Sequence, residues 1–121
     1  MAHEGSAKQM PDLFRSTAAA LVLSERARQV ATWGTQDTNT WPEWMSILME
    51  EVGELAEAIN ETHFANATHP ERGGIENIRQ EAVQVAAVAM SIIEATLKKA
   101  AHERFMQDCR DFDAYMANKK C

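Results

Sequence analysis

Hydrophobic residues recur at helical spacing along most of this chain. Four apolar residues in the second quarter follow one another at intervals of four, three and four: Leu48, Val52, Leu55 and Ile59. Near the C-terminus the same intervals join Phe105, Cys109, Phe112 and Met116. This spacing is typical of the inner face of an α-helix. Because no stretch shows the alternation of a half-buried strand, the pattern predicts an all-α protein.

Turn-forming residues divide the pattern into four helices. The four helices are expected at residues 11–31, 40–63, 75–97 and 100–118, with polar connections around 34–39 and 66–74. Thr40 and Glu43 have the spacing of a capping box at the start of the second helix. Residues 1–10 lack periodicity and are expected to form a flexible N-terminal arm, followed by a single helical domain over 11–121.

The third helix is the most hydrophobic, and it is expected to be the central, most buried one. One line along it contains four apolar residues, Ile78, Val85, Val88 and Ile92. Glu81 falls on the same line, and Gln84 follows one turn later. A carboxylate on a core face needs a partner, which is a basic side chain, the capped start of its own helix or a bound cation.

Composition narrows the class of protein. The 121 residues carry a formal net charge of −6, which argues against a nucleic-acid-binding surface. No apolar run reaches the ~18 residues that a membrane span needs, so we expect no membrane interaction and a cytoplasmic location. The two cysteines, Cys109 and Cys121, have neither zinc-site nor disulfide-scaffold spacing and are expected to be free thiols.

Two glutamates on the second helix are the strongest candidates for chemistry. Glu51 and Glu54 lie one turn apart, at the border of the apolar stripe rather than opposite it. Two hard oxygen ligands on one helix are suited to Mg²⁺. The alternative is an ordinary amphipathic helix with a solvated acidic border, and the spacing alone does not decide between the two.

The two acidic turns together resemble a known group of enzymes. Glu-Glu-x-x-Glu at residues 50–54 and Glu-x-x-Gln at residues 81–84 stand in an apolar frame, with Trp-Gly at 33–34 upstream. This arrangement, over residues 26–97, resembles the MazG-like all-α nucleoside triphosphate pyrophosphohydrolases. The resemblance implies a four-helix bundle that forms a homodimer or homotetramer. It also implies Mg²⁺, or alternatively Mn²⁺, held between the two motif helices, and hydrolysis of a nucleoside triphosphate to the monophosphate and pyrophosphate.

The resemblance also implies roles for individual residues. Glu51, Glu54 and Glu81 would be metal ligands, and Glu50 would hold or deprotonate the attacking water. Gln84 stands where the family pattern usually has aspartate, so it would supply a neutral carbonyl oxygen in place of a charge. Oligomer formation is also expected from the composition, because short alanine-rich helices leave apolar surface uncovered.

Candidates for substrate binding lie around these motifs. Trp33, Trp41 and Trp44 could stack on a base, with Trp44 two turns before Glu51 on a similar helix face. Any one of these tryptophans is more often simply part of a core. Arg79, Lys98 and Lys99 could contact phosphate, although basic residues on helix surfaces usually have no specific partner.

Three functions therefore remain open on the sequence. The first is the pyrophosphohydrolase. The second is a nucleotide-binding protein that lost turnover through Gln84. The third is a structural or partner-binding helical bundle in which basic residues pair with the acidic cluster.

Overall fold

The computed structural model describes residues 3–64 and 66–119, with side chains described from residue 12 onward. It contains three α-helices: α1 (His3–Trp33), α2 (Trp41–His63) and α3 (Ile75–Lys119). A 3₁₀ turn, Pro70–Arg72, lies between α2 and α3. No strand occurs among the described residues. The all-α prediction is confirmed.

The first helix begins earlier than the sequence indicated. α1 starts at His3, whereas the pattern placed the helix start at Pro11 and a loose arm over residues 1–10. Residues 7–10 are Ala, Lys, Gln and Met, which are good helix formers despite their lack of an apolar stripe. Met1 and Ala2 lie outside the described residues, so the flexibility of the arm stays a prediction.

The third and fourth predicted helices are a single helix. α3 runs without a break for 45 residues through Lys98 and Lys99, where the sequence suggested a boundary. No glycine or proline occurs in this range, and lysine and alanine both favour helix, so no residue ends the helix there. The described residues therefore form three α-helices, and the expectation of four was wrong.

The chain divides into two compact units, residues 1–91 and 92–121. The core of the first unit is small. Its buried apolar residues are Trp44, Ala58, Ala87 and Val88, and its buried polar residues are Arg26, Gln29 and Ser91. On α3 burial is thus concentrated at residues 87–91, while Val85 is only partly buried. The expectation of a single domain over 11–121 stays a prediction.

The second unit is the C-terminal part of α3. Its apolar residues are largely exposed, including Phe105, Phe112 and Met116, which the sequence assigned to a core face. Cys109 on the same line is half-buried and is a free thiol, as expected. Cys121 lies outside the described residues. The helical spacing is therefore present, but within this unit those three side chains are left exposed.

The start of α2 has the predicted capping box. The backbone N–H of Glu43 donates to Thr40 Oγ1 at 3.3 Å, and the backbone N–H of Thr40 donates to Glu43 Oε1 at 3.1 Å. Pro42 occupies the first turn, where its missing N–H costs no helical hydrogen bond. These contacts fix the first turn of the helix that carries Glu50, Glu51 and Glu54.

The connection from α2 to α3 is hydrogen-bonded to the last turns of α2. Glu61 Oε2 accepts the backbone N–H of His69 at 2.9 Å, and Thr62 Oγ1 accepts that of Gly74 at 2.7 Å. A Cβ at Gly73 would lie 2.9 Å from the carbonyl carbon of Glu61, so only glycine fits there. Gly74 has φ +100°, a conformation that also favours glycine. The position at which α3 begins is therefore fixed relative to α2.

Candidate metal centre

Three carboxylates converge between α2 and α3. Glu51 and Glu54 from α2 and Glu81 from α3 each offer one oxygen, and these oxygens lie within 4.8 Å of one another. Glu51 and Glu81 are half-buried and Glu54 is exposed. The three residues that the sequence pattern grouped as metal ligands are thus brought together. Glu51 and Glu54 lie one turn apart on α2, and the hydrogen-bonded connection between α2 and α3 sets the position of Glu81.

The cluster is electrostatically unfavourable in the absence of a cation. Burial raises the pKa of Glu51, and the nearby charges of Glu54 and Glu81 raise it further. Burial likewise raises the pKa of Glu81, assisted by the charge of Glu54 and by a hydrogen bond with it. The three carboxylates repel one another when all of them are ionised. A divalent cation bound between them would relieve this repulsion.

Gln84 belongs to the same cluster. In the orientation that satisfies its hydrogen bonds, its amide nitrogen donates to Glu51 Oε2 at 3.0 Å and to Glu81 Oε2 at 3.2 Å. A 180° rotation of the amide places the carbonyl oxygen in the same position, facing the two carboxylates. In that second orientation the amide oxygen repels the two carboxylates when no cation is present. When a cation is bound, the same oxygen is a further ligand for it. Gln84 therefore contacts two of the three acids whichever way its amide points.

A cavity of about 250 Å³ borders Glu51 on the α1 side. Its lining combines aromatic, apolar and polar side chains from all three helices and the loop after α1: Gln29, Trp33, Gln36, Trp44, Ile47, Glu50, Glu51, Val88 and Ser91. Glu50, the candidate for holding water, is thus on the wall of this cavity and not among the three converging acids. Its catalytic role stays a prediction.

The two tryptophans of this cavity differ in their surroundings. Trp33 is 58% exposed, and the guanidinium of Arg28 lies over its ring at 5.5 Å. Trp44 is only 3% exposed, and its indole nitrogen has no hydrogen-bond partner in the part of the chain that the structure describes. Trp44 is therefore both a core residue, as the conservative interpretation held, and part of the cavity wall. Trp41 does not line this cavity.

Two arginines lie in a second, larger cavity of about 650 Å³ between α1 and α3. Arg28 and Arg79 line it together with Gln84, so it adjoins the acidic cluster. Arg28 makes a two-pronged ion pair with Glu25, which lowers the pKa of Glu25. Arg79 was a sequence candidate for phosphate contact, while Arg28 was not. Lys98, the other candidate, lies in the second compact unit, and its role stays a prediction.

Arg72 is a neighbour of the cluster that the sequence analysis missed. It is the last residue of the 3₁₀ turn, forms an ion pair with Glu57, and lines a third cavity of about 240 Å³ with Glu54 and Glu81. In sequence Arg72 is an isolated basic residue in a polar connection. Nothing in that pattern distinguishes it, because its position depends on how the connection folds against α2.

The donor set is suited to a hard divalent cation. Three carboxylate oxygens and one amide oxygen match the ligands that Mg²⁺ and Mn²⁺ prefer, and no described histidine or cysteine joins the group to favour a softer metal. Among the described residues no helix combines the length and hydrophobicity of a membrane span. Comparison with protein families, with curated proteins and with solved structures finds no match.

Proposed function

We propose that this protein is a Mg²⁺-dependent hydrolase that converts a nucleoside or deoxynucleoside triphosphate to the monophosphate and pyrophosphate. The observation that carries the proposal is the convergence of Glu51, Glu54 and Glu81 beside a cavity lined by two tryptophans. The carboxylates are suited to the metal that a triphosphate requires, and the cavity is suited to a flat, aromatic base.

The metal ligands in this proposal are Glu51, Glu54, Glu81 and Gln84. When bound, Mg²⁺, or alternatively Mn²⁺, would screen the phosphate oxygens and the charge that develops on the leaving pyrophosphate. Gln84 would then present its carbonyl oxygen. Glu50, on the wall of the cavity next to Glu51, would orient the attacking water and accept its proton.

The substrate in this proposal spans the cavities that meet at the cluster. The base would lie against Trp33 and Trp44, as an aromatic ligand of the first cavity. The phosphates would extend from the metal toward Arg28 and Arg79, whose cavity contains Gln84. Arg72 is positioned for the same purpose on the Glu54–Glu81 side, provided that it releases Glu57.

The oligomeric, MazG-like bundle and a cytoplasmic location are part of the same proposal. The described part of one chain supplies three α-helices, so a four-helix bundle of this type would use helices from a second copy. Exposed apolar side chains on α3, among them Ile93, Leu97 and Phe105, support self-association as a homodimer or homotetramer. A monomeric mass by light scattering at micromolar concentration would contradict this part of the proposal.

The test is pyrophosphate release from a panel of nucleoside triphosphates with Mg²⁺ and with EDTA. We expect release only with the metal, and a loss of at least about 100-fold in kcat/KM for Glu51→Gln. Glu103→Gln is the matched control, because Glu103 is exposed and does not belong to the acidic cluster, and it should retain wild-type activity. Equal release in EDTA, or none from any nucleotide, would contradict the proposal.

A second candidate function is nucleotide binding without turnover. It is favoured by the hydrogen bonds that Gln84 donates to Glu51 and Glu81, because these stabilise the two carboxylates in part without a metal. Calorimetric binding of the same nucleotides, with and without Mg²⁺, separates the two functions. Binding without pyrophosphate release would support the second candidate. If the protein shows no binding and no release, the remaining interpretation is a structural bundle.

A further inference from the structure

Gln36 is the one residue other than glycine with a positive φ in the part of the chain that the structure describes. Its φ of +55° lies in the left-handed region, which is unfavourable for a residue with a Cβ. Strained residues of this kind cluster at ligand sites, where the surrounding structure holds them. Gln36 lines the first cavity together with Trp33 and Trp44, and it is half-buried, so a ligand can reach it. The strained position therefore lies at the proposed substrate site.

Two hydrogen bonds hold the loop around Gln36. The backbone N–H of Asn39 donates to the backbone oxygen of Gln36 at 3.0 Å. The hydroxyl of Thr35 donates to Asp37 Oδ2 at 2.8 Å, so the residues on either side of Gln36 are joined. These contacts use the backbone carbonyl of Gln36 and its neighbours, but not its side chain. They fix the backbone at this position and leave the side-chain amide available for another partner.

The other amide and hydroxyl side chains on the cavity wall are already hydrogen-bonded. Gln29 forms a side-chain hydrogen bond with Glu25, and Ser91 donates to the backbone oxygen of Ala87 at 3.0 Å. The side-chain amide of Gln36, by contrast, has no hydrogen-bond partner among residues 3–64 and 66–119. It is therefore the amide on this wall that a ligand can engage without breaking a contact of the protein.

A side-chain amide is complementary to the edge of a nucleobase. It presents an N–H donor beside a carbonyl acceptor, and each base likewise carries a donor next to an acceptor. A 180° rotation of the amide serves either order of the two groups. Resting on the proposed function, we infer that Gln36 binds the edge of the nucleobase whose ring lies against Trp33 and Trp44. Because the amide can rotate, this contact accepts all the common bases.

Gln36→Met tests the amide by itself. Methionine has a similar length and the same unfavourable backbone conformation at this position, but it lacks the amide, so the melting temperature should stay close to that of the wild type. We expect kcat/KM for the best nucleotide of the panel to fall about tenfold. Ribose 5-triphosphate has the sugar and the phosphates without a base, and its inhibition constant should not change. An unchanged kcat/KM, or an equal loss of affinity for ribose 5-triphosphate, would overturn the inference.

Gln36→Gly tests whether the strained conformation is kept for binding. It removes the amide and also the Cβ, so we expect the melting temperature to rise by about 2 °C or more. The fall in kcat/KM should match that of Gln36→Met. A gain in stability together with this loss would support the inference. A lower melting temperature with unchanged kcat/KM would overturn it, because Gln36 would then serve only the structure of the loop.

Thr38→Gly is the matched control. Thr38 is exposed in the same loop, does not line the cavity and has no positive φ. Glycine there adds the same flexibility without relieving strain, so kcat/KM should remain at the wild-type value and the melting temperature should not rise. If Thr38→Gly lowers kcat/KM as much as Gln36→Gly does, loop flexibility accounts for the loss, and the inference is overturned.

Two measurements keep this inference separate from the proposed function. Circular dichroism establishes whether Gln36→Met is folded, and if it is not, Gln36→Gly decides. If no nucleotide releases pyrophosphate, the proposed function fails, and calorimetric binding of the same nucleotides with Mg²⁺ to the wild type and to Gln36→Met decides the inference. Weaker binding by the variant would support it, while equal binding, or no binding by the wild type, would overturn it.

Discussion

The side-chain amide of Gln84 lies 3.0 Å from the Oε2 atom of Glu51, so a neutral group on α3 meets a carboxylate on α2. Gln84→Glu would replace this donor with a further anion. In EDTA we expect a lower melting temperature, because semi-buried carboxylates repel one another. In excess Mg²⁺ the added charge strengthens metal binding. The gap between the apo and Mg²⁺ melting temperatures should therefore widen relative to the wild type, by about 4 °C or more.

Gln80→Glu provides the matched control for this measurement. Gln80 lies one turn earlier on α3, is exposed, and is not within the acidic cluster. The same change of charge there should leave the gap close to that of the wild type. If Gln84→Glu lowers the melting temperature equally with and without Mg²⁺, Gln84 is a structural hydrogen-bond donor and not a metal ligand.

The raised pKa values of Glu51 and Glu81 predict how the metal-free protein responds to pH. A carboxyl whose folded pKa lies above its unfolded value destabilises the fold when ionised, and this penalty disappears as pH falls through the folded pKa. In EDTA we expect the melting temperature to rise as pH is lowered from 7 toward the ordinary carboxyl range. Below that range the lowered pKa values of Glu25 and Glu43 act in the opposite direction, and stability is lost.

Glu51→Gln separates this contribution from other effects of pH. Without the Glu51 carboxyl, the rise in melting temperature between pH 7 and the carboxyl range should become smaller. Glu103→Gln, at an exposed position in the second unit, should keep the wild-type profile. A flat wild-type profile over this range would show that the three acids are not repulsive in the absence of metal.

Gly73 and Gly53 should respond oppositely to alanine. At Gly73 a Cβ would lie 2.9 to 3.1 Å from backbone atoms of Glu61 and Thr62, and we expect Gly73→Ala to lower the free energy of unfolding by about 1–3 kcal/mol. At Gly53, in α2, a Cβ meets no atom within 4 Å, and helix propensity should raise stability by up to about 1 kcal/mol. Urea unfolding in EDTA measures both. Destabilisation of similar size at the two positions would contradict the close approach at Gly73.

Val88 is a core position at which a charge should be poorly tolerated. It is 4% exposed, so the carboxylate of Val88→Asp would be buried away from water. We expect this variant to destabilise the first unit by about 3 kcal/mol or more. Ile93→Asp is the matched control on the same helix, at a position that is 58% exposed. Thermal melts should show a large loss for Val88→Asp and a small one for Ile93→Asp. Equal losses would mean that the exposed side of α3 is covered, as in the proposed oligomer.

The features predicted best from the sequence depend on local spacing. The capping box of Thr40 and Glu43 and the pairing of Glu51 with Glu54 follow from positions along one helix, and helix geometry is nearly invariant. The sequence did not indicate that the expected third and fourth helices form the single helix α3. Lys98 and Lys99 interrupt the apolar face, but they do not end the helix. A change in hydrophobic pattern is not a break in the backbone.

Features that depend on tertiary contact could not be predicted in the same way. Arg72 approaches the cluster only because its connection is hydrogen-bonded to the end of α2, and no pattern of residues indicates that path. The unpaired indole nitrogen of Trp44 likewise depends on which side chains surround it. Sequence spacing indicated that Trp44 shares a face with Glu51, but not that its donor would remain without an acceptor.

The fixed start of α3 makes the acidic cluster sensitive to chain length. Glu81 lies seven residues after Gly74, whose backbone is hydrogen-bonded to Thr62. One added residue between them would turn Glu81 by about 100° around the helix axis, away from Glu51 and Glu54. Seven added residues would restore its direction to within about 20° but displace it by about 10 Å. Homologous chains that keep this cluster should therefore tolerate substitutions between Gly74 and Glu81 more readily than insertions or deletions there.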